Sequence, residues 1–227
     1  MKVLVVAAHP DDEVLGCGGA IARHTHAGDE VRIVILAEGI TSRSARAQRG
    51  KSARQLSALA RSAHAAAKVL GVSDAHLHSL PDNRMDSCDL LDVVKTVERH
   101  VAEFAPDTVY THHIGDLNID HSITCRAVAT ACRPLPGSPV RRILSFEVVS
   151  STEWQIDARD AFVPNCFIDV ESTLALKLKA LKCYASEMRP WPHARSLEAV
   201  THLARWRGAS VGMKAAEAFM VCREIER

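Results

Sequence analysis

The most informative absences in this 227-residue sequence concern cysteine spacing, net charge and long apolar runs. The seven cysteines are an odd number and form no Cys-x-x-Cys pair, which argues against a disulfide framework and a cysteine-rich zinc site. The formal net charge is +1, so no strong overall field attracts the protein to nucleic acid or an anionic membrane. No apolar stretch approaches the length of a membrane span, and the N-terminus turns acidic sooner than a signal peptide would. We therefore expect a cytoplasmic protein with buried free thiols.

A dinucleotide-binding loop is also absent. Gly16, Gly18 and Gly19 do not have the spacing G-x-G-x-x-G, and the preceding loop is filled by polar residues. Because glycine lets two backbones approach closely, we interpret this trio as a helix packed tightly on a sheet.

Short, β-branched apolar runs alternate along the chain with stretches of helical periodicity. The runs predict strands at 3–8, 31–36, 108–111, 142–149 and 166–170. Helices are predicted at 13–27, 44–70, 89–104, 121–132, 174–186 and 197–206, and residues 215–221 suit either a helix or a strand. Such alternation predicts an α/β fold with a mostly parallel sheet flanked by helices. No linker or repeat interrupts the pattern, so we expect a single domain over residues 1–227.

Two polar clusters each follow a predicted strand. The first is His9-Pro10-Asp11-Asp12-Glu13, and the second is Asp116-Leu117-Asn118-Ile119-Asp120-His121. Parallel sheets bind ligands at the carboxyl ends of their strands, where the two clusters would meet. Imidazole and carboxylate groups are ligands that zinc prefers, and a catalytic site uses three of them.

A metal site has a simpler alternative. Alone, the first cluster could be a helix N-terminus capped by Asp11 or Asp12. The second cluster favours the metal site, with His9, Asp12 and His121 as the three ligands. Asp11 would then lie beside the metal as the group that takes a proton from water and later returns it to a leaving amine.

The segment VLVVAAHPDDEVLGCGG at 3–19 resembles the signature of the LmbE-like family, also called the PIG-L deacetylases. The resemblance extends along nearly the whole chain, through Asp120-His121 to the late segment 207–219. It implies a Rossmann-like fold and hydrolysis of N-acetyl groups, usually on glucosamine-containing substrates. It also implies one divalent metal ion per chain, commonly zinc, and a homo-oligomer. Histidine and carboxylate ligands suit other metals such as Fe²⁺ as well.

The resemblance assigns the same roles to His9, Asp12, His121 and Asp11 as the residues themselves suggest. One position departs from the family, because many members have a histidine where this chain has Asn118. An amide can donate a hydrogen bond to an oxyanion but cannot give a proton. His112 or His113 could supply the missing group, with His113 as our candidate, or Asp11 could act as both base and acid. Asp120 is predicted to orient a histidine or the substrate.

The sequence identifies the substrate-binding residues less specifically than the metal ligands. The predicted substrate-binding residues are Arg43, Asp82, Asn83, Arg84 and Asn118. The loop with Trp191, His193 and Arg195 could roof the pocket or be purely structural.

A narrower resemblance, to a branch linked to surface-polysaccharide biosynthesis, implies a small-molecule substrate: a nucleotide-linked or otherwise activated N-acetyl amino sugar. Two alternatives remain open at this point. One is cleavage of another amide such as a thiol conjugate, and the other is an inactive sugar-binding module.

Overall fold

The computed structural model describes residues 1–39 and 49–226, and for residues 49–53 only the backbone. The strands in this part are β1 (Lys2–Ala7), β2 (Glu30–Ala37), β3 (Asp74–Leu80), β4 (Thr108–His112), β5 (Arg142–Phe146), β6 (Cys166–Asp169) and β7 (Ala216–Glu224). The helices are α1 (Asp12–His26), α2 (Arg49–Val69), α3 (Leu90–Phe104), α4 (Ile119–Ala131), α5 (Leu174–Cys183) and α6 (Leu197–Ala209). Short 3-10 helices occur at Met85–Ser87, Thr152–Trp154 and Ala158–Asp160.

The strands form one sheet in the order β3-β2-β1-β4-β5-β7-β6. β1 pairs in parallel with both β2 and β4, and β7 is antiparallel to its neighbours β5 and β6. The predicted α/β fold with a mostly parallel sheet is therefore confirmed. The chain leaves β1 toward β2 on one side and returns to β4 on the other, so the gap between β1 and β4 is a topological switch point. Such a point opens a crevice at the carboxyl ends of the strands.

Both faces of the central strands are buried, which explains their continuous apolar runs. Along β1, Val3 and Val5 join the core formed with α1, α2 and α5. Leu4 and Val6 alternate to the other face and join the core formed with α3 and α4. The central strands are thus fixed on two sides, and the residues that follow their carboxyl ends are held by a rigid base.

The glycines near the start of α1 allow the close packing that we predicted. A Cβ atom on Gly16 would overlap the ring of Phe146, which lies at the end of β5, and one on Gly19 would lie 2.8 Å from Val170 Cγ1. The helix therefore lies directly against the sheet edge from which the first polar cluster emerges.

Several predicted boundaries differ from the structure. β3 was not predicted, because its sequence DAHLHSL lacks an apolar run and every residue in it is at least partly exposed. β5 ends at Phe146 instead of residue 149, and of the two structures left open for the C-terminal segment, the strand is the one observed. The start of the helix predicted at 44–70 lies outside the described residues.

The cysteines are free thiols, as predicted, but only Cys17, Cys125 and Cys132 are buried. In the described ranges, no helix is long and apolar enough to cross a membrane. That the chain is one domain stays a prediction.

Candidate metal centre

The first polar cluster turns sharply between β1 and α1. Asp11 has a φ of 107°, and the backbone N–H of Asp12 donates to the carbonyl of His9 at 3.2 Å. This turn brings the His9 and Asp12 side chains together, with His9 Nδ1 lying 3.2 Å from Asp12 Oδ2. The i and i+3 pair expected from the sequence therefore shares one side of the turn.

The second cluster reaches the same point from α4. His121 Nε2 lies 3.2 Å from Asp12 Oδ2, and the rings of His9 and His121 are 5.4 Å apart between centroids. One ligand atom from each of His9, Asp12 and His121 falls within 4.8 Å of the other two. Two imidazoles and one carboxylate in this arrangement are the donor set of a catalytic zinc site.

Each of these two histidines has a second carboxylate behind it. His9 Nε2 lies 3.0 Å from Asp120 Oδ2, and His121 Nδ1 lies 3.1 Å from Asp116 Oδ1. A carboxylate on the far ring nitrogen fixes the tautomer and the ring orientation of a metal-binding histidine. We had predicted such a role for Asp120, whereas the role of Asp116 was missed.

Asp120 and Asp116 are themselves held in place. Asp120 is fully buried and accepts hydrogen bonds from the backbone N–H groups of Asn83 (2.7 Å) and Met85 (2.9 Å). Asp116 accepts hydrogen bonds from the hydroxyls of Ser151 and Thr152, the latter at 2.5 Å. The two carboxylates therefore join the loops after β3 and β5 to the metal centre.

Unpartnered polar atoms test whether a metal ion fits here. In the part of the chain that the structure describes, Asp12 Oδ1 and His121 Nε2 are buried without a properly directed hydrogen bond. Buried polar atoms are nearly always satisfied, so such orphans call for an absent partner. A divalent cation between Asp12 and His121 would supply one, and the residues therefore fit the group.

The electrostatics also favour a positive charge between these residues. Burial opposes ionisation of His9, but Asp12 and Asp120 outweigh it and raise the pKa of His9 to about 10. Burial likewise opposes a charge on His121, yet Asp12 and Asp116 raise its pKa to about 9. The pKa of Asp12 is held well below its ordinary value because His121 and His9 overcome the effect of burial. A bound metal ion would supply the charge that these carboxylates attract.

Asp11 lies at the N-terminus of α1 without capping it. Its side chain is buried, and Asp11 Oδ2 accepts a hydrogen bond from Arg195 Nη1 at 2.5 Å. Burial raises the pKa of Asp11 well above its ordinary value, and Arg195 offsets only part of this rise. A raised pKa makes a carboxylate a stronger proton acceptor, which is how active sites prepare a general base.

A second group of possible ligands shares His9. One ligand atom from each of His9, Asp82 and Asp120 lies within 4.8 Å of the other two. This group uses the Nε2 atom of His9, and both oxygens of Asp120 already accept backbone hydrogen bonds. We therefore assign Asp120 to orienting His9 and place the metal at the first group.

The structure places His112, and not our candidate His113, against the proposed metal ligands. The ring of His113 lies 5.4 Å from that of Phe162, and its Nε2 atom is 2.8 Å from the carbonyl oxygen of Asp160. His112 instead stacks on His121 at 3.9 Å and accepts a hydrogen bond from the backbone N–H of Ala8. His112 ends β4 and points to the centre, whereas His113 follows the strand and turns to another loop.

Of the predicted substrate residues, three meet near the centre. Asp82 Oδ1 lies 3.4 Å from His9 Nε2, and the amide of Asn83 donates to that same oxygen. The amide of Asn118 donates to Asn83 Oδ1, while its oxygen accepts from Asp120 N and caps α4. Arg84 is exposed, and Arg43 lies outside the described residues.

Comparisons with known proteins identify the family that the chain matches. A model of the GlcNAc-PI de-N-acetylase family, PIG-L, matches residues 4–132. The uncharacterized deacetylase YaiS of Escherichia coli is 29% identical over 190 residues, covering 81% of this chain and 90% of that protein. The 4-oxalmesaconate hydratase of Pseudomonas putida is also 29% identical, over 206 residues, covering 85% of this chain and 76% of that protein.

A solved structure supports the fold. The N,N'-diacetylchitobiose deacetylase of Pyrococcus horikoshii, determined with an inhibitor, superimposes with a TM-score of 0.78 at 20% sequence identity. The match covers 98% of this chain and 84% of that one.

Proposed function

The chain belongs to the PIG-L family of de-N-acetylases, and from this premise we propose that it is a zinc-dependent hydrolase that removes an N-acetyl group from an amino sugar. Deacetylation is the chemistry of the family, whereas the metal, the residue roles and the amino sugar are our proposal. One observation supports it above the others. One ligand atom from each of His9, Asp12 and His121 lies within 4.8 Å of the other two, and Asp11, the residue before Asp12, carries a buried carboxylate that is not among these ligands.

The proposed mechanism assigns one task to each group of side chains. When bound, a divalent metal ion supplies Lewis acidity, which lowers the pKa of water and polarises an acyl carbonyl. His9, Asp12 and His121 would hold it, while Asp120 and Asp116 keep the two imidazoles oriented. Asp11 would accept the proton of the attacking water through a carboxylate oxygen.

The proton must then reach the leaving amine nitrogen. His112 and His113 are both buried, and the Nε2 atom of each already has a partner, Ala8 N for His112 and the carbonyl of Asp160 for His113, so we assign neither to this step. We therefore propose that Asp11 returns the proton that it took. Asn118 supports the site as a helix cap rather than as an acid.

The proposed substrate is an activated N-acetyl amino sugar, such as a nucleotide-linked one. Its support is the polar rim of Asp82, Asn83 and Asn118 beside the proposed metal, because side-chain amides and carboxylates can bind sugar hydroxyls. Arg43 and Arg84 stay predicted binders of the activating group.

The test is acetate release from a panel of N-acetyl sugars and nucleotide-linked N-acetyl sugars, using zinc-loaded enzyme. Asp11→Asn removes the proposed proton acceptor and keeps the three metal ligands. We expect zinc content to be unchanged and turnover to fall by roughly 10²- to 10⁴-fold, the usual contribution of general acid–base catalysis. Full turnover by this variant would exclude Asp11 as the base, and an inactive wild type that binds sugars tightly would favour the sugar-binding module.

A second candidate is the addition of water to a carboxylated, unsaturated substrate. It is supported by the likeness to the Pseudomonas putida 4-oxalmesaconate hydratase over 85% of this chain. The departure at Asn118 also weakens the resemblance to deacetylases. Loss of ultraviolet absorbance by a conjugated dicarboxylate, without acetate release from amides, would favour the hydratase.

Release of acetate from thiol-conjugated amides but not from sugars would favour the other alternative, an amidase that acts on thiol conjugates.

A further inference from the structure

Arg195 is distant in sequence from the proposed metal centre but contacts its key carboxylate. It immediately precedes Ser196, whose hydroxyl caps α6 by accepting from Ala199 N. The Arg195 backbone is fixed on both sides, because its carbonyl accepts from Arg189 N at 3.2 Å and its N–H donates to His193 Nδ1 at 3.0 Å. The loop 189–196 therefore presents this side chain from a defined backbone position.

The guanidinium of Arg195 is directed by two contacts. Its Nη1 atom donates to Asp11 Oδ2 at 2.5 Å, and its Nε atom donates to Ser150 Oγ at 2.7 Å. The side chain is 20% exposed and that of Asp11 is 2% exposed. Since the donors of a guanidinium form a rigid fork, the bond to Ser150 fixes the direction in which Nη1 meets Asp11.

Asp11 depends on this contact because its own helix does not hold its carboxylate. Asp11 occupies the N-cap position of α1, yet its side chain makes no capping hydrogen bond. Its backbone is fixed by a positive φ and by the bond from its N–H to Glu13 Oε2 at 3.1 Å. Among the described residues, Arg195 supplies the hydrogen bond that determines where the carboxylate points.

The same short segment also holds the other side of the centre. Ser150 contacts Arg195, while its neighbours Ser151 and Thr152 both donate to Asp116, which faces His121. The turn after β5 therefore supports both sides of the site. It reaches the proposed base Asp11 through Arg195, and it reaches the proposed metal ligand His121 through Asp116. A fixed distance between base and metal is what the proposed reaction needs.

We propose that Arg195 is a positioning residue, which together with Ser150 holds the carboxylate of Asp11 toward the water that attacks the acyl group. This inference rests on the proposed function. Arg195 acts through Asp11 and not by binding the substrate.

The experiment compares Arg195→Gln with Arg189→Gln, a change at an exposed arginine of the same loop whose Nη1 donates to the backbone carbonyls of Ser186 and Met188. In zinc-loaded enzyme, R195Q is expected to lower kcat on the order of 10²-fold, the effect of misplacing a reacting group by about 1 Å. KM and zinc content are expected to stay close to wild type, and R189Q is expected to behave as wild type. A raised KM with unchanged kcat would make Arg195 a substrate-binding residue and overturn the proposal.

A double-mutant cycle tests whether Arg195 acts through Asp11. In the Asp11→Asn background, Arg195→Gln is expected to cause no further loss of kcat, because the positioned group is already gone. Multiplicative losses would overturn the proposal. Arg195→Lys keeps the positive charge but not the fork of donors, so its kcat is expected to lie between those of R195Q and wild type. Ser150→Ala keeps the ion pair between Arg195 and Asp11, so a smaller loss of kcat is expected than for R195Q. This variant replaces R195Q in the test if R195Q does not fold.

A structural readout separates this inference from the proposed function. Crystal structures of the zinc-loaded wild type and R195Q need no substrate, and the Asp11 carboxylate is expected to shift or to adopt several conformers in the variant. An unmoved Asp11 would overturn the role of Arg195 even in an active deacetylase. A wild type that releases no acetate would overturn the proposed function and leave the structural comparison intact.

Discussion

Two clusters of three histidines occupy different parts of this molecule. The first, which we call the central cluster, comprises His9, His112 and His121 at the carboxyl ends of β1 and β4. The second, the edge cluster, comprises His76 and His78 on the outermost strand β3 and His100 on α3. The edge cluster is just as tight, because His78 Nε2 and His100 Nε2 lie 2.9 Å apart.

The difference lies in the carboxylates. In the central cluster, His9 and His121 each have a carboxylate near both ring nitrogens, and their pKa values are raised. In the edge cluster, burial and then neighbouring positive groups lower the pKa of His78, and burial followed by His78 lowers the pKa of His100 to about 4. Asp74 contacts His76 but also binds Arg32. Carboxylates that fix the rings and contribute negative charge therefore favour a cation at the central cluster over the edge cluster.

The largest expected effect comes from removing the shared carboxylate of the central cluster. Asp12→Asn keeps the size of the side chain but replaces one carboxylate oxygen by an NH₂ group and removes the charge between His9 and His121. We expect loss of the bound zinc and a larger loss of turnover than the roughly 10- to 100-fold that outer groups cost. Metal content by mass spectrometry and acetate release are the measurements.

Asp74→Asn is the matched control, because it removes the corresponding carboxylate from the edge cluster. It is expected to retain one zinc per chain. If D12N kept its zinc, or D74N lost it, the contrast between the two clusters would fail.

A smaller effect is expected from removing a carboxylate that contacts a proposed ligand but is not itself a ligand. Asp116→Asn leaves the three proposed ligands in place but removes the charge behind His121, so zinc affinity is expected to weaken by roughly 10- to 100-fold. A chelator competition measures it. Asp86→Asn, a change at an exposed acidic residue, is a control for the loss of one charge. Equal affinities of D116N and D86N for zinc would show that Asp116 has no orienting role.

The smallest expected effect is a pH dependence of stability from the edge cluster. The folded-state pKa of His100, about 4, lies below its ordinary value of 6.5. The unfolded chain therefore binds this proton first, so stability from the neutral ring is present above pH 6.5 and is lost as pH falls toward 4. His100→Phe is expected to lose less stability over this range than wild type, as measured by the urea midpoint. His64→Phe changes an exposed histidine and is the control. If it reduced the loss of stability equally, the pH dependence would not come from His100.

The sequence predicted the central cluster better than the edge cluster, because the strands that carry the two clusters are buried to different extents. The central strands are apolar over their whole length because both faces are buried, and β1 and β4 were predicted from that pattern. β3 lies at the sheet edge, half-exposed, and its alternating histidines gave no apolar run. The edge cluster was therefore invisible before the fold was known.

Within the site, the sequence predicted the residues whose placement is local. His9 and Asp12 are three positions apart on one turn, and such spacing needs no knowledge of the fold. The contact of Asp116 with His121, and the placement of His112 rather than His113 against His121, depend on how the chain turns after β4. That turn is set by packing against other loops, which a single sequence does not display.

By itself, the sequence determined the alternation of strands and helices and the polar residues that end the first and fourth strands. Apolar periodicity and short-range spacing are local properties, so they can be read without coordinates. Only the tertiary structure decided which charges meet. The contact of Asp11 with Arg195 joins residues 184 positions apart, and it exists because the loop before α6 packs over the turn after β1. Contacts between such distant residues follow from the packing of the whole chain and not from any local pattern.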